Sequence, residues 1–211
     1  MEANVGSTIE RGAVLSRQAL LERLKTDLVI SPLLDPSQVG DGSLDISLGT
    51  RFITSQRSRV TQLDPAKLTE GRIHAFQRAS VTPFGDWFTL HPGSFALGCT
   101  FEFVSLPSDL CGFVLSRSRY GRLGLLIATA TFVHPGWRGC LTLELENLGE
   151  VPIILRPLST VGQLVLLHAS KVVEPTKPRS IPVGPVFSSL SHDGRWEKLR
   201  RIWGDGTRGD G

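Results

Sequence analysis

Three short segments of the chain carry residues able to do chemistry. The first, Arg117-Ser118-Arg119-Tyr120-Gly121-Arg122, sets three arginines and a serine around a glycine between two apolar runs. Guanidinium groups bind phosphate oxygens through paired hydrogen bonds, and a serine hydroxyl adds a donor. Such a segment is either an anion-binding loop or a solvated basic one. Its apolar flanks favour burial, and a buried arginine cluster needs anions. The second segment is His134-Pro135-Gly136-Trp137-Arg138-Gly139. Pro-Gly makes a tight turn, and Trp137 either stacks on a base or plugs the core. In the third, Leu141-Thr142-Leu143-Glu144-Leu145-Glu146-Asn147, alternation puts the three leucines on one face and Thr142, Glu144 and Glu146 on the other. A mid-strand carboxylate on a covered face has its pKa raised into the range useful for general acid–base work. On an open face Glu144 is an ordinary surface residue.

These segments need a scaffold of short strands. From Trp87 to His168 apolar runs alternate with turn residues: Trp87 to Leu90, Ser94 to Leu97, Thr100 to Leu106, Gly112 to Leu115, Leu123 to Ala128, Cys140 to Leu145, Val151 to Leu155 and Val161 to Leu167. With 22 glycines and 13 prolines in 211 residues, the pattern predicts an all-β sandwich, jelly roll or distorted barrel. Upstream, Ser16 is placed to cap a short helix running to about Leu28, and Ser43 to Leu48 alternates as a half-buried strand does. Residues 31–42 read as a loop. Residues 51–85 show no clean period and predict one or two strands with a long surface excursion. Beyond Lys171, Pro175, Pro178, Pro182 and Pro185 predict an extended arm, then a short amphipathic helix near Trp196 to Trp203 and a mobile tail.

Composition narrows the class. Hydrophobic residues make up 40% and charged residues 20%, as in a globular domain rather than a disordered chain. The net charge of +3 permits nucleic-acid binding and suits an anionic small molecule equally well; the basic stretch Arg195 to Arg201 reads equally as a solvated tail. Cys99, Cys111 and Cys140 are an odd count with no C-x-x-C spacing, which argues against a disulfide framework and a cysteine-rich zinc site. No stretch has the length of a membrane span, and the first residues lack a signal-peptide core. The expectation is a soluble cytoplasmic protein.

Taken in order, the motifs resemble the dCTP deaminase family of the dCTP deaminase/dUTPase superfamily. The likeness is carried by Ser43-Leu44-Asp45-Ile46-Ser47-Leu48-Gly49, Leu90-His91-Pro92-Gly93, Leu106 to Leu110, Arg117 to Leu125, Ala128 to Trp137, Gly139 to Asn147, Leu155-Arg156-Pro157 and Gly162-Gln163-Leu164. It implies a mainly β, dUTPase-like distorted barrel or jelly roll with a short N-terminal helix, spanning residues 15–170 between a leader (1–14) and a C-terminal arm and tail (171–211). It further implies a homotrimer with active sites between subunits, a pyrimidine deoxynucleotide substrate, and no membrane or nucleic-acid partner.

The resemblance also implies a reaction: attack of water on C4 of a cytosine deoxynucleotide, by default dCTP, with Mg2+ held by the triphosphate and no zinc. Glu144 would carry the proton from water to the leaving ammonia. Ser118 and the backbone of Ala130 would place the water. Arg122 would act beside them, and Arg117, Arg119, His134, Trp137, Gln163 and Lys177 would contact the substrate. Zinc deaminases use an H-x-E and P-C-x-x-C set that this chain lacks. Three departures stand out. Arg119 replaces the second serine of the arginine motif, His134 replaces the aspartate before Pro-Gly, and the C-terminal lid motif is reduced to Gly184-Pro185 and Ser188, with Lys177 or Arg179 left to supply its lysine. They leave room for a nucleotide diphosphohydrolase, a combined deaminase and diphosphohydrolase, or an inactive nucleotide-binding homologue.

Overall fold

In the computed structural model of the chain, which describes residues 13–56, 59, 61–63, 70–127 and 132–172, Ser16 caps helix α1 (Arg17–Leu24) by accepting from the Ala19 amide. Leu20 turns into the core. The helix stops four residues short of Leu28 because the Arg23 carbonyl collects the amides of Thr26, Asp27 and Leu28, which closes the last turn. There follow β1 (Val29–Ser31), a 3-10 turn (Pro36–Gln38), β2 (Leu44–Ser47), β3 (Arg51–Ser55), α2 (Glu70–His74), β4 (Gln77–Val81), β5 (Phe88–Leu90) and β6 (Phe95–Ser105). The second half holds β7 (Leu110–Ser116), the single-turn helix α3 (Ser118–Gly121), β8 (Leu125–Ile127), β9 (Phe132–Val133), β10 (Arg138–Asn147), β11 (Ile153–Leu155) and β12 (Thr160–His168).

Among the described residues the strands form three sheets. The largest runs β4-β3-β6-β10-β8, with β1 also paired to β6; a second runs β2-β12-β7-β9; and β11 pairs with β5. The pairings are antiparallel. The inner faces of the two larger sheets meet in one core: Phe52, Leu143, Leu145 and Leu125 come from one, and Leu44, Ile46, Val114, Leu164 and Leu166 from the other. A mainly β architecture was expected, and this is one. Most of the predicted strands appear with shifted ends. Two of them, 94–97 and 100–106, are a single strand. The break expected between them at Gly98 does not occur because Gly98 makes room: a Cβ there would sit 3.1 Å from Leu145 Cδ1.

Two turns set the site loops. Gly124 has a left-handed φ of 89°, and a Cβ on it would meet the Gly149 nitrogen at 2.6 Å. The close approach locks the end of the arginine loop against the end of β10, where Leu148 donates to the Gly124 carbonyl. Gly136, at φ 73, completes the Pro135-Gly136 turn, closed by the Trp137 amide on the His134 carbonyl. No helix among the described residues is long and apolar enough to cross a membrane. The predicted arm, the helix near Trp196 and the tail lie outside the described residues.

Candidate active site

Glu144 lies on β10 with its side chain away from the core, opposite the face of Leu141, Leu143 and Leu145. It is half-buried, and its register partner across β6 is Leu97, itself buried and paired in turn with buried Ile53. The carboxylate therefore has apolar side chains on one side while staying partly open to solvent. Burial pushes its pKa above the ordinary glutamate value, and no charge contributes to the shift. Among the described residues no hydrogen bond or ion pair engages it.

The arginine motif sits elsewhere. Arg117 is the N-cap of α3, and its amide donates to the Val161 carbonyl. Its guanidinium pairs with Asp45 on β2. Asp45 faces Gln163 in register, and Gln163 faces Leu115, so these side chains share the outer face of the second sheet. Ser43 donates its hydroxyl to Gln163 Oε1 at 3.3 Å. Arg117 and Gln163 are thus brought together, with Asp45 and Ser43 beside them. Arg119 folds back: its Nη2 donates to the Thr160 carbonyl at 3.1 Å and its guanidinium lies 5.2 Å from the Tyr120 ring centre. Ser118 and Arg122 are exposed at the two ends of α3. The burial expected of this cluster is not found among the described residues: Arg117 alone of the three arginines is half-buried, and Arg119 and Arg122, on a one-turn helix beyond the end of β7, are exposed.

The antiparallel register separates the two halves of the motif set. Leu125 pairs with Asn147 and Ile127 with Leu145, so Glu144 lies beyond the Ile127 end of β8 and Arg122 before its Leu125 end. That strand alone spans roughly 10 Å. Within one copy Glu144 and the Ser118–Arg122 turn do not meet.

Of the two roles open to Trp137, the structure shows the packed one: the ring lies half-buried against the core and its indole N–H donates to the Gly139 carbonyl at 3.2 Å. His134 is exposed, its ring edge-on to Phe132 at 4.9 Å. Ala130 and Lys177 lie outside the described residues.

Sequence reasoning missed three contributors. Asp45 could have been suspected as an acid on the polar side of an alternating strand, but its partner lies 72 residues away. Glu102 is fully buried and accepts from the Ser47 amide at 2.9 and 3.1 Å and from Gln38 Nε2 at 3.2 Å. Asn147 is also fully buried and donates its amide to the carbonyls of Leu90 and Val151, fixing the end of the Glu144 strand.

A mainly β chain with a desolvated glutamate and an arginine-serine turn has known counterparts. The crystal structure of the 2'-deoxycytidine 5'-triphosphate deaminase from Agrobacterium tumefaciens aligns with a TM-score of 0.59 and 22% identity over 75% of this chain. The chain spans about half (49%) of that structure's length. The fold is therefore of the deaminase class. Residues 14–169 match the family model described as dCTP deaminase-like. The chain is 40% identical over 195 residues to the "dCTP deaminase, dUMP-forming" of Halobacterium salinarum, covering 91% of this chain and 96% of that one. It is 38% identical to the "dCTP deaminase" of Halorubrum lacusprofundi, covering 91% and 92%. The chain belongs to the dCTP deaminase-like family.

Proposed function

We propose that the protein deaminates a cytosine deoxynucleotide, with dCTP as substrate, at sites built between copies of a homotrimer. The observation that carries this reading is Glu144, a half-buried carboxylate raised in pKa by desolvation and without a hydrogen-bond or ion-pair partner among the described residues. The names of the relatives supply the substrate class. Exposed apolar side chains support assembly: Phe113, Leu115 and Phe132 on the second sheet, and Leu123, Leu126 and Leu148 around the arginine turn.

In the reaction, ionised Glu144 takes a proton from water as the water oxygen bonds to C4 of the base. The carboxyl group then passes the proton to the exocyclic amine, the C4–N bond breaks, and ammonia leaves as the second water proton moves from the C4 hydroxyl to N3, giving the carbonyl. Ser118 and the backbone of Ala130 hold the water. Arg122 and Arg117 orient the substrate and offset the developing negative charge. Gln163, beside Arg117, adds an amide to the binding surface, and Arg119, His134 and Lys177 complete it.

Mg2+ would enter on the triphosphate, neutralising part of its charge. Among the described residues no group of three or more His, Cys, Asp or Glu side chains comes together, and Mg2+ takes phosphate oxygens and water in preference to a protein cage.

A second reading adds pyrophosphate release, giving dUMP. It is favoured by the name of the Halobacterium salinarum relative. Incubation with dCTP and Mg2+, followed by chromatography and an ammonia assay, separates the two: dUTP marks simple deamination, dUMP with pyrophosphate the combined reaction. Glu144→Gln should lower ammonia release by about 10²- to 10⁴-fold while the chain stays folded. Full ammonia release from that variant would remove the mechanism.

A further inference from the structure

We infer that Asp45 is a positioning residue that acts through Arg117, holding its guanidinium in the orientation that meets the substrate. The inference rests on the reading of Arg117 as a substrate contact. The two groups form an ion pair with side chains about one-third and one-fifth exposed (37% and 21%), and Arg117, just past the end of β7, reaches Asp45 on β2 across the intervening β12, which carries Gln163. A guanidinium has five donors in a fixed plane. Tying one nitrogen to Asp45 fixes that plane and leaves other N–H groups free. A lone surface arginine would have to give up several rotamers on binding.

The support beneath Asp45 argues that its placement matters. Gln38 Nε2 lies 3.5 Å from the Asp45 carbonyl and 3.2 Å from Glu102 Oε1. Glu102 in turn accepts the Ser47 amide on both oxygens. The Gln38 side-chain oxygen accepts the amides of Leu34 and Asp35, so the 3-10 turn is tied into the same network. A buried carboxylate is costly, and burial pushes the Glu102 pKa up. An apolar side chain would fill that space more cheaply. What the network supplies is a fixed β2 backbone at the Asp45 carbonyl and, two residues on, at the Ser47 amide.

The test is a double-mutant cycle of Asp45→Asn and Arg117→Met, read in kcat/KM and in dCTP affinity by calorimetry. Each single variant is expected to lose roughly tenfold or more. Asp45→Asn should cost little further once Arg117 is gone. Asp45→Glu, which keeps the charge, should recover most of the Asp45→Asn loss. Equal losses from Asp45→Asn with and without Arg117 in an active protein overturn this inference alone. A loss from Asp45→Glu as large as that from Asp45→Asn overturns it too, and covers the case in which Asp45→Asn fails to fold. Wild-type protein that neither binds nor deaminates dCTP defeats both the inference and the reading beneath it.

Discussion

Glu144 and Arg122 stand at opposite ends of β8, with Leu125 to Ile127 between them, and no hydrogen bond or ion pair joins them. The antiparallel register fixes this separation. A mechanism that needs both must draw them from different copies of the chain.

The desolvation of Glu144 has a consequence for pH. Burial raises its pKa, so more of the group is protonated at mildly acidic pH than for a free glutamate. Because the ionised form takes the proton from water, kcat/KM should fall as pH drops through that raised pKa. The acid limb of the profile should therefore lie above about pH 4.3, the ordinary glutamate value. A limb at or below that value would place the carboxylate in water and contradict the assignment.

The Arg23 guanidinium joins three parts of the chain. It bonds both oxygens of Asp109 at 2.7 and 2.9 Å and both oxygens of Asp27 at 2.8 and 2.9 Å, tying α1 to the turn before β7. Arg23 holds both carboxyl groups below the usual aspartate range. Their folded pKa is thus lower than their unfolded one. The stability they add is present above about pH 3.9 and is lost as pH falls through the folded values. Asp109→Asn should cost about 1 kcal/mol near pH 7, allowing for solvent screening. In denaturant titrations that difference should shrink below about pH 4. A constant difference down to pH 2 would show that the pair is not the source.

Leu158 carries strain. Its φ is 68, a left-handed conformation that costs a residue with a Cβ about 1–2 kcal/mol. The position closes the turn between β11 and β12, where the Leu158 amide donates to the Leu48 carbonyl. The residue is 41% exposed, so relief of the strain and loss of the leucine's partial burial oppose each other. Leu158→Gly should therefore keep stability within about 1 kcal/mol of wild type, or about 4 °C in Tm, whereas deleting a fully buried, unstrained leucine would cost several times more. A larger fall in Tm would mean that the leucine's packing outweighs the strain.

The sequence patterns that survived contact with the structure were the local ones. Leu141, Leu143 and Leu145 alternate inward, and Glu144 follows on the other face, because a strand's period is a property of each residue's neighbours. Residues 51–85 were opaque for the opposite reason. In β4, Gln77 alone is buried and Arg78 to Val81 are exposed, so no apolar period marks it. Glu102 inverts the rule: it is buried between half-buried Phe101 and Phe103, since its partners Ser47 and Gln38 arrive from distant segments. The Asp45–Arg117 pair likewise joins segments, β2 and the turn after β7, that only the fold brings together. The arginine turn was expected to be buried by its apolar flanks, but the flanking strands bury their own side chains and leave α3 at the sheet's end.

The shared site is tested most directly by mixing two inactive variants. Glu144→Gln and Arg122→Ala each disable every site in their own assembly. Unfolded together in equal amounts and refolded, they form mixed trimers in which about a quarter of the sites combine an intact Glu144 with an intact Arg122 from a neighbour. Recovery of about a quarter of wild-type deamination is the predicted result. A mixture that folds and assembles yet stays as inactive as its parents would contradict a site built from two copies.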